Sequence, residues 1–537
     1  MPTDLPENDR ALVEAAQRGK IWAPAGFGRP NFDGEMPTVQ ADTIRALCLG
    51  LWDDVRLDPR GVRIFGARID GELDLSDGIS VGPLKLLGCH LQAPLILKNA
   101  TLPSLYLSAS RLDADFNAEG AHINGDLYCT GRFQTMSAIN LIGARIGGDL
   151  DLSSACLDSD DRSSLVADRI VIKGNVFCAE DFNTKGTVRL LGAHIGGDAD
   201  FGDASLDGGG KAAINADGMV IQGGLFFREG TSINGDASLV SVSVQGLLDW
   251  RPASWTGILE LSHARAGVWA DTWSGQEWNC DGEPRIDLRD FRFDSFLAAD
   301  YVKADAGSRL NWLKTALGDD FVPGPYENLA RVLRAAGEDA GAKRVGLEKE
   351  RARTRHAVKS AKGWLPRSAR WFRGAFLDLT IGYGYEAWRG FAWLLALLLV
   401  GWGIFYAAGP LDTGGSGIIK PALPVAFIED LGRRIDDRPL WPGETPSDHG
   451  IGYRLPPEYP PFSGFWYSLD TLLPLVDLGQ SAAWSPSPIA PAIRDDPWGW
   501  TVTIYLYFHI MAGWVLSTLT VVALTGLIRR EDGRRSE

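Results

Sequence analysis

Apolar and polar residues alternate in short runs along the first half of the chain, as in Leu73-Asp74-Leu75 and Leu150-Asp151-Leu152. Alternation of this kind is the period of a β-strand, and glycine-rich turns interrupt it before a long strand can form. Each run is centred on an aliphatic residue that recurs about every 11 residues, or every 22 to 23 where one copy is degraded. The pattern predicts a solenoid of short strands.

A repeated phrase supports this prediction. Gly-Ala-Arg-Ile or Gly-Ala-His-Ile, followed by glycine and an acidic residue, occurs at residues 66–72, 143–149 and 192–198. Self-similarity at a fixed period is typical of repeat architectures. We expect a mainly β fold, a parallel β-helix over residues 61–290 with about nine coils of roughly 22 residues. Because open solenoid ends expose strand edges, residues 1–60 are expected to form a helical cap.

Two amphipathic segments, Glu7–Gly19 and Thr38–Leu51, provide the helices of this cap, with Thr38 as the predicted N-cap of the second. Beyond the solenoid, residues 296–375 read as a helical connector. It contains a helix over Ser308–Leu317 and a helix pair after Pro323 that resembles one tetratricopeptide unit. A single pair cannot build a binding groove, so we expect it to close the solenoid.

The last part of the chain, residues 376–537, contains two long uncharged runs, about 390–411 and 503–526. Each is long enough to cross a bilayer. Eleven Lys or Arg against two Glu lie between Lys343 and Arg373, and Arg529-Arg530 follows the second run. This basic flank predicts an inner-membrane protein with two spans and both termini in the cytoplasm. The run before the first span either attracts anionic headgroups or serves only as the orientation signal.

Composition narrows the function classes. The net charge of −15 excludes nucleic acid as a general partner. Six cysteines, all within the first 280 residues and without close pairs, predict buried free thiols in a reducing compartment. The polar, acidic start predicts no signal peptide, which places the solenoid in the cytoplasm. No catalytic, cofactor-binding or metal-binding motif is legible, so a non-enzymatic protein without cofactors is favoured.

The residue before the repeat's central aliphatic position is often basic. Stacking of coils would align these residues into one ladder on the solenoid surface: Arg68, His90, Arg111, His122, Arg145 and His194. An acidic ladder, containing Glu72, Asp126, Asp149, Asp198 and Asp236, would lie beside it. The two ladders form either a binding face for an anion, metal, small ligand or cytoplasmic protein, or a set of opposite charges that pair between coils. We favour the second interpretation.

Between the two spans, residues 465–479 are apolar but too short to cross a bilayer, which predicts a re-entrant or interfacial segment. The order aromatic-Tyr467-Ser468-Leu469-x-Thr471-Leu472 and the span–segment–span layout resemble two-span pore-loop cation channels. The resemblance implies a homo-oligomer whose pore residues include Asp470, Thr471, Asp477 and Gly479. The filter sequence of the family is replaced here by Leu472-Leu473-Pro474, so acidic rings at Asp470 or Asp477 would provide cation preference.

Two further features lie in or near the predicted spans. Thr380-Ile381-Gly382-Tyr383-Gly384 matches a potassium-channel filter letter for letter, but it precedes the first span, so a turn at the membrane entry is predicted. His509 is the ionisable residue of the second span. Such a residue is a functional candidate by default, and the alternative is a histidine hydrogen-bonded to a neighbouring helix.

The solenoid phrase, Leu377-Asp378-Leu379-Thr380-Ile381-Gly382-Tyr383-Gly384-Tyr385 and Tyr467-Ser468-Leu469-Asp470-Thr471-Leu472-Leu473-Pro474-Leu475 together resemble an uncharacterised bacterial family of β-helix membrane proteins with pentapeptide-like repeats. Its members are often labelled membrane-associated oxidoreductases. The residues favour an oligomeric ion-channel-like or signal-coupling protein in the lipid bilayer. The alternatives are a membrane-associated oxidoreductase and a membrane-tethered scaffold without catalysis.

Overall fold

The computed structural model describes residues 5–24, 32, 34–228, 230–271, 279–280, 283–284, 286–297, 306–318, 321–410, 413–422, 459–486 and 498–525. The chain forms two compact units, Met1–Gly346 and Leu347–Glu537. The first unit contains a β-solenoid of about nine turns, which confirms the predicted β-helix. The second unit is helical.

Each turn of the solenoid has four short sides. In the first turn these are Val62–Phe65, Arg68–Asp70, Leu73–Asp74 and the single bridging residue Ile79. Strands of successive turns pair in parallel, so each side extends into a ladder along the solenoid, as in Arg68 beside His90 and His90 beside Arg111. Two sides belong to one sheet and two to a second.

Sheet I has 16 strands and sheet II has 17. Sheet I comprises Thr38–Gln40, Arg68–Asp70, Leu73–Asp74, His90–Leu91, Leu95–Ile96, Arg111–Leu112, Phe116–Asn117, Gln134–Thr135, Ile139–Asn140, Cys156–Val166, Asn183–Arg189, Ser205–Asn215, Ser232–Ser238, Ser254–Trp255, Leu259–Glu260 and Ile286–Asp287. Sheet II comprises Val62–Phe65, Leu84–Leu87, Thr101–Leu102, Leu105–Tyr106, His122–Ile123, Leu127–Tyr128, Arg145–Ile146, Leu150–Asp151, Val171–Ile172, Val176–Phe177, His194–Ile195, Ala199–Asp200, Val220–Ile221, Leu225–Phe227, Ser243–Trp250, Arg265–Asp271 and Arg292–Phe296.

The core lies inside the coils, because side chains along a strand point alternately inward and outward. The inward positions are aliphatic and buried in almost every turn, for example Leu73, Leu95 and Ile139. Aromatic side chains replace them toward the C-terminal turns, where Phe201 stacks on Phe227 with ring centroids 5.0 Å apart. At two places the aliphatic residues of the repeat are about 23 positions apart in the sequence, as if one copy were missing. In the structure, buried Thr135 and Thr184 occupy the aliphatic position of these two copies.

Two helices and a strand close the N-terminal end. Helix α1 (Glu7–Gln17) and helix α2 (Ala41–Leu49) flank the strand Thr38–Gln40, which pairs with Arg68–Asp70 of the first turn. Thr38 is therefore a strand residue and not the predicted N-cap of the second helix. The strand satisfies the open edge of sheet I, and the backbone N–H of Gln40 donates to the Asp9 carboxylate at 3.0 Å.

Helix α3 (Ala306–Leu317) and helix α4 (Pro323–Ala335) close the C-terminal end. Arg309 of α3 forms a buried ion pair with Asp271 in the last long strand, and its guanidinium lies over the ring of Phe296, 3.9 Å from the centroid. Arg331 of α4 donates to the backbone oxygen of Phe293. Through these contacts α3 and α4 pack against the last strands of the solenoid.

The remaining helices are α5 (Asp339–Lys359), α6 (Trp364–Ile381), α7 (Trp388–Ala408), α8 (Gly464–Leu472), α9 (Gln480–Ala483) and α10 (Trp498–Leu524), with a 3₁₀ turn at Gly382–Gly384 between α6 and α7. Antiparallel pairs join Ile419–Pro421 to Trp484–Pro486 and Asn279–Cys280 to Glu283–Pro284. Helices α7 and α10 are long and apolar enough to cross a membrane.

Candidate functional site between the apolar helices

The six basic residues predicted to share one ladder lie on two different sides of the solenoid. Arg68, His90 and Arg111 are paired neighbours in sheet I. His122 and Arg145 are neighbours in sheet II, and His194 follows in the same ladder. The single-stripe prediction is wrong because the 11-residue repeat is half of a coil, so successive copies alternate between the two sheets.

On the sheet I side, Asp113 joins two neighbouring coils. Its carboxylate lies 2.6 Å from Nε2 of His90 and 2.8 Å from Nε of Arg111. Burial acts to raise the pKa of Asp113, but the hydrogen bonds from His90 and Arg111 outweigh it and hold the pKa below its ordinary value. This cluster pairs opposite charges, although Asp113 is not one of the acidic residues of the predicted ladder.

On the sheet II side, the histidines bind their own turns. Nδ1 of His122 lies 3.1 Å from the Gly120 carbonyl oxygen, and Nδ1 of His194 lies 3.0 Å from that of Gly192. A carbonyl only accepts, so Nδ1 carries the proton in both. Arg145, in the next coil from His122, is exposed. These residues are therefore separate surface groups rather than a ligand cluster.

The acidic ladder has a different structural role from the predicted charge pairing. The backbone N–H of Asp149 donates to the Asp126 carboxylate at 3.0 Å, and the N–H of Asn175 donates to that of Asp149 at 2.7 Å. Asp198 and Asp236 likewise accept a backbone N–H from the next coil. Each of these four aspartates, though not Glu72 of the predicted ladder, thus satisfies a backbone donor that the corner would leave unpaired.

This ladder explains the Gly-Gly-Asp of the repeat. A Cβ on Gly148 would overlap the Asp126 carboxylate, and a Cβ on Gly174 would overlap that of Asp149. Neither glycine has a positive φ, so the requirement is space rather than backbone conformation. The repeated glycine and acid are one interlocking device between coils.

In the second unit, α7, α8 and α10 contact one another at glycine residues. A Cβ on Gly401 of α7 would overlap Oγ of Ser468 on α8 and lie 2.6 Å from Cε1 of His509 on α10. A Cβ on Gly513 of α10 would overlap the carbonyl oxygen of Leu472 at the end of α8. Glycine at a helix contact lets the backbones approach closely, the usual packing device of membrane helices.

The contacts of α8 give its direction. It begins at Gly464, whose Cα faces the Tyr406 backbone near the end of α7, and it ends at Leu472, beside Gly513 near the middle of α10. The chain then returns: the side chain of Gln480 donates to the backbone oxygen of Pro461, which precedes α8, at 3.1 Å. Residues 464–480 therefore form a hairpin that enters and leaves at one end of the two long helices.

His509 is fully buried where the three helices meet. Its Nε2 lies 3.2 Å from the Ser468 carbonyl oxygen and 3.3 Å from the Ser468 hydroxyl, which itself donates to the carbonyl of Leu398 at 3.0 Å. Its Nδ1 lies 3.3 Å from the hydroxyl of Tyr505. A neutral ring with the proton on Nε2 satisfies every one of these groups. His509 is thus the histidine hydrogen-bonded to a neighbouring helix.

The four pore candidates differ in what their side chains contact. Asp470 is buried and accepts the backbone N–H groups of Leu478 and Ser481, each at 2.6 Å, which ties α8 to the returning segment. Thr471 is buried and donates to the Tyr467 carbonyl, one helical turn back. Neither presents its polar group to the surface of the chain.

Asp477 and Gly479 lie in the returning segment. Asp477 is exposed, and one of its carboxylate oxygens accepts the N–H of Gly479 at 3.0 Å. Gly479 has a φ of +73°, a conformation that favours glycine. No atom lies within 4 Å of the position that a Cβ would take, so a side chain would meet no steric obstacle there. The neighbouring Leu475 is 95% exposed. Asp477 is therefore the acidic candidate on the open surface of the hairpin.

The filter-like sequence forms a turn, as predicted. Helix α6 ends at Ile381, and Tyr383 takes a left-handed conformation with a φ of 50° between Gly382 and Gly384. The Tyr383 hydroxyl lies 3.0 Å from that of Thr354 on α5. Asp378, just before the turn, pairs with Arg351. The turn packs against α10.

The cysteines differ from the sequence prediction at one position. Cys48, Cys89, Cys129 and Cys178 are buried free thiols, but Cys156 is exposed, and the side chain of Cys280 lies outside the described residues. Cys156 faces outward because it stands beside Gln134 and Asn183 at the polar position of sheet I. Burial raises the pKa of Cys89 to about 12.

The residues that contact His509 were not predicted from the sequence. Ser468, Gly401 and Tyr505 build the contact, and the weak signal for them was the presence of small residues within apolar helices.

Across the described ranges, no group of three His, Cys, Asp or Glu side chains is placed to hold a metal ion. No family model, curated protein sequence or solved structure matches the chain.

Proposed function

We propose that the chain is a two-span membrane protein that assembles as a homo-oligomer and conducts cations past its re-entrant hairpin. The observation that carries the proposal is the exposed return of residues 473–479 beside two lipid-compatible helices. The spans come first in the argument. Helix α7 has 21 residues, which at 1.5 Å per residue is about the 30 Å of a hydrocarbon core.

The surfaces of these helices suit lipid. Only 17% of the apolar window of α7 and 28% of that of α10 is buried. A core helix of a soluble protein would be mostly buried by its own chain. Exposed side chains on α7 and α10, such as Leu395, Leu399, Ile504 and Phe508, are apolar. Such surfaces are stable in a hydrocarbon solvent and costly in water.

The hairpin then imposes a condition. Non-helical backbone at membrane depth is tolerated only where protein buries it or where it lines a water-filled cavity. Residues 473–479 are non-helical, and Leu475, Asp477 and Leu478 are exposed in the single chain. Further copies of the chain around this surface would meet the condition, with the returning segments facing a shared aqueous path.

Asp477 gives the path its charge preference. Copies of its exposed carboxylate around an axis would form an acidic ring, which favours cations. Asp470 does not serve in such a ring, because both of its oxygens accept backbone hydrogen bonds within the chain. The channel-like reading of the sequence therefore narrows to Asp477, whereas Asp470 and Thr471 shape the hairpin.

Potassium flux from liposomes containing the full chain tests the proposal. We expect flux in the native protein, a reduction of roughly tenfold in D477N, and no change in D115N, which removes an exposed charge from the solenoid. Absence of flux from a folded, monodisperse oligomer would overturn conduction in favour of a tethered scaffold. Flavin or haem absorbance in the purified protein would overturn it in favour of the oxidoreductase implied by the family resemblance.

A further inference from the structure

Helix α6 exposes an apolar side, interrupted by Ser368, whose hydroxyl is hydrogen-bonded to the carbonyl oxygens of Trp364 and Leu365. Trp364, Leu365, Trp371, Phe372 and Leu379 are each between 59% and 76% exposed. They recur at intervals of about seven residues, with pairs of neighbours at 364–365 and 371–372, so they lie on one side of the helix. Exposed patches of aromatic side chains at this density mark a surface that binds something.

The other side of α6 is polar and packs on α5. A Cβ on Gly374 would overlap the Thr354 methyl group, and Nη1 of Arg370 donates to the carbonyl oxygen of Ala357 at 2.8 Å. Arg367 and Arg373 are exposed and have no acidic partner among the residues that the structure describes. They lie on the two flanks of the apolar side. The helix therefore carries free positive charge on both borders of its apolar side.

Helix α6 is also fixed to the start of the first long apolar helix. Nε1 of Trp393 on α7 donates to the carbonyl oxygen of Leu379 at 3.1 Å. Nη1 of Arg389 donates to that of Asp378 at 3.2 Å. The exposed apolar side of α6 thus continues into the exposed apolar surface of α7, and whatever solvent covers α7 reaches α6.

We infer that α6 lies in the headgroup layer of the membrane and binds anionic phospholipid. Tryptophan and phenylalanine on one side with arginine on the other is the composition of an interfacial helix. Tryptophan prefers the level of the headgroups, and each arginine near an anionic surface contributes to binding. The inference rests on the membrane position of α7 but not on conduction.

Labels on the two sides of α6 test the inference in the full chain. In a C156S/C280S background, W371C carries an environment-sensitive fluorophore on the apolar side, and R370C is the matched neighbour on the opposite side. The protein is reconstituted in phosphatidylcholine, with or without phosphatidylglycerol, containing a lipid-borne nitroxide quencher. We expect strong quenching at 371, weak quenching at 370, and a larger difference with phosphatidylglycerol.

A second variant tests whether the docking of α6 depends on the positive charge of Arg367 and Arg373. R367Q/R373Q in the W371C background is expected to lower the docked-to-undocked ratio in phosphatidylglycerol membranes by roughly thirtyfold, and to abolish the difference between the two lipids. Equal quenching at 370 and 371 overturns the inference. A label at 371 that is shielded from iodide but not quenched by lipid also overturns it, because a protein surface then covers α6. Potassium flux is measured in parallel, so a failure of conduction is separable from a failure of docking.

Discussion

Nη1 of Arg309 donates hydrogen bonds to both carboxylate oxygens of Asp271, at 2.6 and 2.7 Å, and neither side chain is exposed. The pair joins α3 to the last long strand of the solenoid. The indole N–H of Trp269 donates to the same carboxylate at 2.9 Å. A buried charge without its partner is costly, so the pair holds the C-terminal cap in place.

R309A is expected to lower the free energy of unfolding of the solenoid by about 3–5 kcal/mol, because it leaves the Asp271 carboxylate buried without its countercharge. Thermal unfolding followed by circular dichroism at a strand wavelength measures the change. K98M removes an exposed ion pair with Glu119 and should have almost no effect. Equal losses of stability in the two variants would show that the buried Arg309–Asp271 pair stabilises the fold no more than the exposed Lys98–Glu119 pair does.

G148A should destabilise the solenoid by about 1–3 kcal/mol, because its Cβ would overlap the Asp126 carboxylate of the preceding coil. Adding D126A removes the obstacle along with one hydrogen bond. The double variant should therefore lose less than the sum of the two single losses. Strictly additive losses, measured by the same thermal unfolding, would contradict the interlocking of glycine and acid.

G401A should disrupt the packing of α7, α8 and α10, because the methyl group would overlap Ser468 and His509. G403A, two residues along the same helix, has open space around its Cβ and is the matched control. We expect about 1–3 kcal/mol of lost stability for G401A alone, visible as a lower midpoint of thermal aggregation in detergent. Identical midpoints would mean that the three helices do not meet at Gly401.

Among the five cysteines whose side chains the structure describes, Cys156 should react first with a maleimide at pH 8. Burial raises the pKa of Cys48 and Cys89 to about 12, so these thiols are protonated as well as inaccessible. Peptide mapping of the labelled chain should find Cys156 before unfolding, with Cys48, Cys89, Cys129 and Cys178 labelled only in denaturant. Early labelling of Cys89 would show that the coil opens at that turn.

The hydrogen bonds of Asp113 to His90 and Arg111 predict that the free energy of unfolding falls in acid. The folded-state pKa of Asp113 lies below its ordinary value of 3.8, so its stabilisation is complete above about pH 4 and is lost as the pH falls through the folded-state pKa. D113N should therefore lower stability at neutral pH but flatten its dependence on pH in the acid range. A native-like acid slope in D113N would assign that slope to other carboxylates.

The solenoid was predictable because its period is written many times and each copy repeats the same local chemistry. The two long apolar helices were predictable for a similar reason: an uncharged run of that length has few structural alternatives. Helix Trp388–Ala408 and helix Trp498–Leu524 lie within a few residues of the predicted spans.

Positions that depend on distant partners were not predictable. The ladder assignment is a different case: the predicted coil of roughly 22 residues already holds two copies of the repeat, so Arg68 and His122, about two and a half coils apart, belong to different sides of the solenoid, and placing them in one ladder overlooked this spacing. Thr38 has the chemistry of an N-cap, but pairing with Arg68 gives it a strand conformation. The partners of Asp470 are backbone N–H groups, which every sequence provides and no residue type signals.

The half-coil repeat sets the step by which such a protein can change length during evolution. Duplication of one copy of about 11 residues would rotate everything after it by half a revolution about the solenoid axis, and the closing helices α3 and α4 would emerge on the opposite side. Duplication of two copies restores the direction. The unit that the sequence repeats is therefore half the unit that inheritance can add or remove without disturbing the end of the rod.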